Sequence, residues 1–265
     1  MIAAPASPTI TLTTDFGPDS PYSAALKGAI LTVNPQARIL DLGHAIPPQD
    51  LRHAAFFLAG SIPYFPLGII HVIVVDPGVG TERALLYVEI AGHRLLVPDN
   101  GCWTALLEVV GGRPRVVRLN GSTYWRNPVS TTFHGRDILA PVAGHLSLGL
   151  DPNLLGAEVT NWVRLSLPRA TSTEQGWRGE VVFIDSFGNL ITNIPGQALE
   201  TPCACLRVGD HDIDRRVRTY GEAQTGSVVA LISSSGRLEI AVSGGNAACR
   251  LDAAIGTPVT IGPAR

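Results

Sequence analysis

Two rhythms of apolar and polar residues divide this chain. Up to about residue 165, short β-branched runs alternate with longer helical stretches; beyond it, only short strand-like runs recur. Residues 9–14 (TITLTT) read as a short buried strand by their β-branched content. Residues 22–33 read as a helix that Pro35 stops, and 38–42 (RILDL) as a second strand. Asp50 is suited to cap a helix over 51–59. The continuous run at 69–75 (IIHVIVV) has the character of a strand covered on both faces. Residues 85–90 and 94–97 form a hairpin pattern across Ala91-Gly92-His93, and 100–110 and 138–148 read as helices. This alternation predicts an α/β domain with a mainly parallel sheet over 1–165.

The polar stretch 166–178 (SLPRATSTEQGWR) has the composition of a linker. After it, runs at 179–185, 190–194, 203–208, 211–213, 227–232, 238–242 and 258–261, joined by Gly-rich turns, predict a small all-β, barrel-like or sandwich domain over 179–265.

Composition narrows the function classes. Of 265 residues, 45% are hydrophobic and 16% charged, which excludes a disordered chain. Acids outnumber bases by 22 to 20, so charge gives no reason to expect a nucleic-acid or anionic-membrane partner. The 28 glycines and 20 prolines speak against helix bundles and coiled coils. No uninterrupted apolar run reaches the roughly 18 residues of a membrane span. The start, MIAAPASP, lacks the basic and apolar regions of a secretory leader, so the expectation is a cytoplasmic protein. Cys102, Cys203, Cys205 and Cys249 form no CxxC pair and read as inert thiols. With no close cluster of His and Asp ligands either, no metal is expected. Lys27 is the only lysine, so any buried cation is expected to be an arginine.

Four places offer chemistry. Asp76-Pro-Gly-Val-Gly80 follows the apolar strand directly, where open α/β sheets bind ligands, and Arg83 is near enough to fold back onto it; a capped structural turn is the plain alternative. Asp15, in TTDFG, ends another strand, which would put both carboxylates on one rim; a carboxylate there can accept two ribose hydroxyls. His134, in FHGRD, is a titratable base beside Arg136 and Asp137. In the second domain, the amide of Asn189 can read a base edge, and Ser234 and Glu239 can hold a polar amino-acid tail; each also fits a simple turn. His44, His53, His71, His93, His145 and His211 lack such company and read as core or surface residues.

Their order along the chain is more specific than any one of them. TTDFG at 13–17, IPPQD at 46–50, VDPGVG at 75–80 with Arg83, PDNG at 98–101, FHGRD at 133–137, DSFGNLITNI at 185–194 and SSG…LEIAVSGGNAA at 234–248 span almost the whole chain. Together they resemble the S-adenosylmethionine hydroxide adenosyltransferases, a family related to the fluorinases and chlorinases that use the same substrate. The resemblance implies hydrolysis of S-adenosyl-L-methionine to adenosine and L-methionine without a cofactor. It implies a water-activating set at Asp76, Arg83 and His134, a ribose contact at Asp15, and adenine contacts at Asn189, at the backbone near Val242 and at Tyr220. Asp185, Ser234 and Glu239 would hold the amino-acid end. It further implies a homotrimer whose nucleoside site joins one subunit's first domain to a neighbour's second.

Two positions depart from the family pattern: Ser20 stands where an acid is usual, and Ser233 where Asn is frequent. The fluorinase branch carries tyrosine at the position of Asp76 and serine at that of Gly135. An anionic Asp76 would repel halide, which sets a halogenase behind a hydrolase; a non-catalytic sensor of the same ligand would have no use for a water-orienting set.

Overall fold

The computed structural model describes residues 9–200 and 205–262. Cys203, and with it the start of the strand read at 203–208, lies outside them. The chain divides into two compact units between Leu165 and Ser166.

The first unit is built on a six-stranded sheet. Its strands are β1 (Ile10–Thr14), β2 (Ile39–Gly43), β3 (Ile70–Val74), β4 (Leu85–Ile90), β5 (His93–Pro98) and β6 (Arg115–Arg118). Their order is β2-β1-β3-β5-β4-β6, with β2, β1, β3 and β5 parallel and β4 antiparallel to both its neighbours. Side chains alternate across it. Leu12, Val72, Val74, Tyr87 and Leu96 pack with Leu26, Ile30, Val142 and Leu146 of α1 (Pro21–Val33) and α4 (Ala140–Ser147). Ile73, Val75, Leu86, Val88 and Leu95 pack with Ala54, Leu58 and Leu106 of α2 (Leu51–Ser61) and α3 (Thr104–Val110). That two-sided burial is why β3 reads as an apolar run interrupted only by His71.

Local chemistry sets the ends. The hydroxyl of Ser20 accepts the Tyr22 N–H and caps α1, with Pro21 supplying a fixed φ in the first turn. Asp50 accepts the His53 N–H and caps α2. α3 starts at Thr104 rather than near residue 100, because Gly101 turns the chain at φ +82°. β6 is only four residues long with arginine at both ends, too short and too charged to stand out in the pattern. No helix among the described residues is long and apolar enough to cross a membrane.

The second unit carries β7 (Thr171–Thr173), β8 (Gly176–Ile184), β9 (Leu190–Pro195), β10 (Cys205–Val208), β11 (His211–Asp212), β12 (Val228–Ile232), β13 (Arg237–Val242) and β14 (Pro258–Gly262), with one short helix, α5 (Ala247–Arg250). The order is β11-β10-β14-β8-β9-β13-β12, all antiparallel, with β7 off this path against β8. β8 pairs with β14 through residues 177–180 and with β9 through 181–184, so one long strand turns the corner of the sheet. The result is a curled half-barrel rather than a closed barrel. Val181, Leu190, Leu206, Leu238, Ile240 and Ile261 fill its concave core. The stretch 166–178 is more than a linker: it supplies β7 and the start of β8, joined by a tight turn at 174–175. β7 is exposed at all three positions, so its sequence is polar and hides its pairing.

Candidate active site

β1 runs through α1 to β2 on one side of itself, and β2 returns through α2 to β3 on the other. The crossovers therefore diverge between β1 and β3, which opens a crevice beyond their carboxyl ends. Asp15 directly follows β1, and Asp76 stands two residues past β3.

The loop after β3 is a pair of tight turns, closed by Val79 N–H to the Asp76 carbonyl and Thr81 N–H to the Gly78 carbonyl. They return Arg83 to Asp76. Arg83 Nε lies 3.0 and 2.9 Å from Asp76 Oδ1 and Oδ2, and Nη2 lies 2.5 Å from Oδ2. Both side chains are mostly withdrawn from solvent, at 11% and 7% exposure. Gly80 (φ +80°) allows this loop to touch the segment before His134: a Cβ there would sit 2.5 Å from the Thr131 carbonyl oxygen. Gly135 does the same on the other flank, since a Cβ would meet Val74 Cγ1 at 2.8 Å.

His134 Nδ1 lies 2.9 Å from Arg83 Nη2. A guanidinium only donates, so Nδ1 accepts and a neutral His134 carries its proton on Nε2. Burial and the adjacent Arg83 charge hold the His134 pKa below its ordinary value, which favours this neutral form. Arg83 has five N–H groups; Nε and Nη2 face Asp76 and His134, and the two on Nη1 remain for a ligand.

His134 opens a wide π turn, Gly135–Leu139, that runs into α4. Asp137 anchors this turn from inside. Its buried carboxylate accepts Arg136 Nε and Nη2, both at 2.7 Å, and the Ser130 N–H at 2.9 Å. Burial opposes ionisation there, yet these donors hold the Asp137 carboxyl below its ordinary range. Phe133 meets the rings of Phe16 and Tyr22 at 5.7 and 5.4 Å, which ties the His134 loop to the Asp15 loop.

Asp15 Oδ2 accepts the backbone N–H of Gln49 at 2.8 Å, leaving Oδ1 for a ligand. Gln49 pays a conformational cost to donate, since it stands at φ +63° without being glycine. A further group here escapes the sequence reading: His44 Nδ1 lies 2.9 Å from Thr14 Oγ1 and Nε2 lies 3.0 Å from Asp41 Oδ1. Thr14 Oγ1 accepts the Phe16 N–H, and the His44 carbonyl accepts that of Gly17, so His44 braces the chain on either side of Asp15. Lys27 pairs with Asp41 at 2.6 Å. The spacing of Asp41 and His44 was the available signal. Among the described residues, no group of three or more His, Cys, Asp or Glu is placed to hold a metal.

In the second unit, Asp185 closes the β8–β9 turn by accepting the N–H groups of Phe187 and Asn189 and the Asn189 side-chain amide. One Asn189 Nδ2 hydrogen is therefore engaged, and Oδ1 and the second N–H are left to a ligand. The exposed ring of Phe187 tops this turn. Val242 is nearby, since Ile240 pairs with Leu190, and its carbonyl accepts the Gly245 N–H. Tyr220 donates its hydroxyl to Glu239 Oε1 at 2.6 Å. Burial and Glu239 push the Tyr220 pKa up to about 12, while burial also raises that of Glu239. Glu239 is 4% exposed, so it holds Tyr220 rather than reaching outward. Ser234 does not join this group. It lies in the β12–β13 hairpin, whose Gly236 carbonyl meets the Gly196 N–H at the opposite end of the strands. Ser233 shapes that hairpin through Ser235 Oγ and the Arg237 N–H.

The SAM hydroxide adenosyltransferase N-terminal domain matches residues 10–156, and the C-terminal domain of the same family matches 179–260. An (R)-S-adenosyl-L-methionine hydrolase of Thermus thermophilus is 40% identical over 93% of this chain and 96% of its own. One from Salinispora tropica is 38% identical over 91% and 93%. Fluorinases are more distant, with one from Actinoplanes at 25% identity. The crystal structure of an uncharacterized conserved protein from Thermotoga maritima superposes with a TM-score of 0.89 at 32% identity, covering 95% of this chain and 98% of that one. With both of its domains matched in order and such identities over nearly the full length, the chain belongs to the SAM hydroxide adenosyltransferase family.

Proposed function

We propose that this protein hydrolyses (R)-S-adenosyl-L-methionine to adenosine and L-methionine. The observation that carries the proposal is the contact set of Arg83 with Asp76 and His134 at the β1/β3 crevice. The relatives named for that hydrolysis support the substrate and its (R) epimer.

Water attacks the 5′ carbon, the carbon–sulfur bond breaks, and its electron pair leaves with sulfur as the neutral thioether of methionine. A sulfonium needs no protonation to leave, so the reaction calls on no metal or cofactor. What it needs is an oriented water that gains hydroxide character. The free N–H groups of Arg83 Nη1 hold that oxygen and stabilise its developing charge. Asp76 takes the proton, because His134 Nδ1 is engaged by Arg83 and its Nε2 already bears hydrogen. His134 keeps Arg83 in place.

Asp15 Oδ1 accepts the ribose hydroxyls. Asn189 Oδ1 accepts the adenine amino group, and Tyr220, held by Glu239, lies against the base beside the Val242–Gly245 turn. Asp185 attracts the methionine ammonium. We further propose a homotrimer in which one copy's reacting groups meet another copy's nucleoside groups.

The test is incubation of purified protein with S-adenosylmethionine, with and without chloride, followed by chromatography. Adenosine and methionine in equal amounts under both conditions are expected. Unchanged substrate, or 5′-chloro-adenosine in chloride, overturns the proposal.

A further inference from the structure

The PDNG segment at 98–101 has no part in the chemistry above, yet it grips both ends of the loop that carries it. The ladder of β3 with β1 ends at Val74, and that with β5 ends at Val72. Val75 is fully buried and lies beyond both, so its carbonyl must find a partner elsewhere. Asn100 Nδ2 donates to that carbonyl at 2.8 Å, immediately before Asp76. The neighbouring Asp99 N–H donates to the Ala84 carbonyl at 2.9 Å, immediately after Arg83. Two consecutive residues thus fix the entry and the exit of the 76–83 loop.

This clamp is itself anchored. Asn100 Oδ1 accepts the Cys102 N–H, and Asp99 Oδ1 accepts the Val163 N–H at 2.8 Å. Gly101 packs so tightly against the chain that a Cβ would stand 2.7 Å from the Leu165 nitrogen. Asparagine suits its place for a specific reason: the side chain must donate to one backbone group and accept from another, which a carboxylate cannot do.

We propose that Asn100 is a positioning residue, acting through Val75 to set Asp76 against Arg83 and the attacking water. The proposal rests on the assignment of Asp76 as proton acceptor. Asn100→Asp keeps size and the acceptor for Cys102 but turns a carboxylate oxygen toward the Val75 carbonyl. Asn100→Ser keeps an acceptor near the backbone, but its shorter hydroxyl falls out of reach of the Val75 carbonyl without adding charge; it serves if the first variant fails to fold.

Each is expected to lower kcat on S-adenosylmethionine about 10- to 100-fold with KM within about 3-fold, because substrate contacts lie elsewhere. In an Asp76→Asn background the same changes are expected to cost less than about 2-fold, since the group they position is gone. An unchanged kcat in both variants beside a crippled Asp76→Asn overturns the positioning role alone. So does an equal loss in both backgrounds, the mark of general damage. Full activity of Asp76→Asn overturns the catalytic assignment, and the positioning role with it.

Discussion

Asp76 and His134 flank one guanidinium but face it with different chemistry. Asp76 is a carboxylate whose Oδ1 takes only the longer Arg83 contact, at 3.0 Å; His134 offers Arg83 its one free lone pair. Asp76→Asn is therefore expected to lower kcat by about 100-fold or more, on the scale of a lost general base. His134→Asn, whose carbonyl can still accept from Arg83, is expected to lose only about 10-fold. Steady-state kinetics on the two variants checks this, and a larger loss at His134 would move the proton acceptor there. Asp76 and Arg83 could be paired from sequence because a Pro-Gly-Val-Gly turn separates them by so few residues. His44 could not: its contact with Thr14 spans 30 residues and exists only once β1 and β2 lie side by side. Ser234, which shares a motif with Glu239, lies in the β12–β13 turn that closes on Gly196.

At the scale of elements, the doubly covered sheet was legible because β3 and β4 carry apolar residues on both faces. β6, β7 and the π turn at Gly135–Leu139 were not, since short or exposed elements leave no periodic trace and π turns have no pattern of their own. That turn sets His134 over the end of β3. Gly135→Ala would press a methyl against Val74, a β-branched side chain with little room to rotate. Displacement of the turn is expected to lower kcat about 10-fold and Tm by a few degrees. Calorimetry with kinetics reads both; an unaltered Tm and rate would mean that the turn is not held against β3. The same contact argues that a serine at this position does not fit this backbone without rearrangement.

For the whole molecule, buried histidines couple stability to pH. His71 on β3 is enclosed with Thr11 Oγ1 on Nδ1 and the ring of His93 at 6.0 Å, and burial and then His93 lower its pKa to about 4. The unfolded chain takes that proton near pH 6.5, so the stability present above pH 6.5 is lost progressively as pH falls toward 4. Tm is expected to decline across that window, and His71→Leu to flatten the decline whatever its effect at neutral pH. A slope unchanged by the variant would place the coupling elsewhere. The two-domain division reads directly from the change of rhythm near residue 165, because helices and strands impose different periods on their buried faces.

The proposed step is replacement of sulfur at the 5′ carbon by water that Arg83 orients and Asp76 deprotonates. Hydrolysis of (R)-S-adenosylmethionine in water enriched in oxygen-18, followed by mass spectrometry of both products, tests it most directly. Adenosine carrying one heavy oxygen, at the 5′ position, is expected together with unlabelled methionine, and turnover by Asp76→Asn at least about 100-fold slower. Unlabelled adenosine, or label in the methionine, would contradict it.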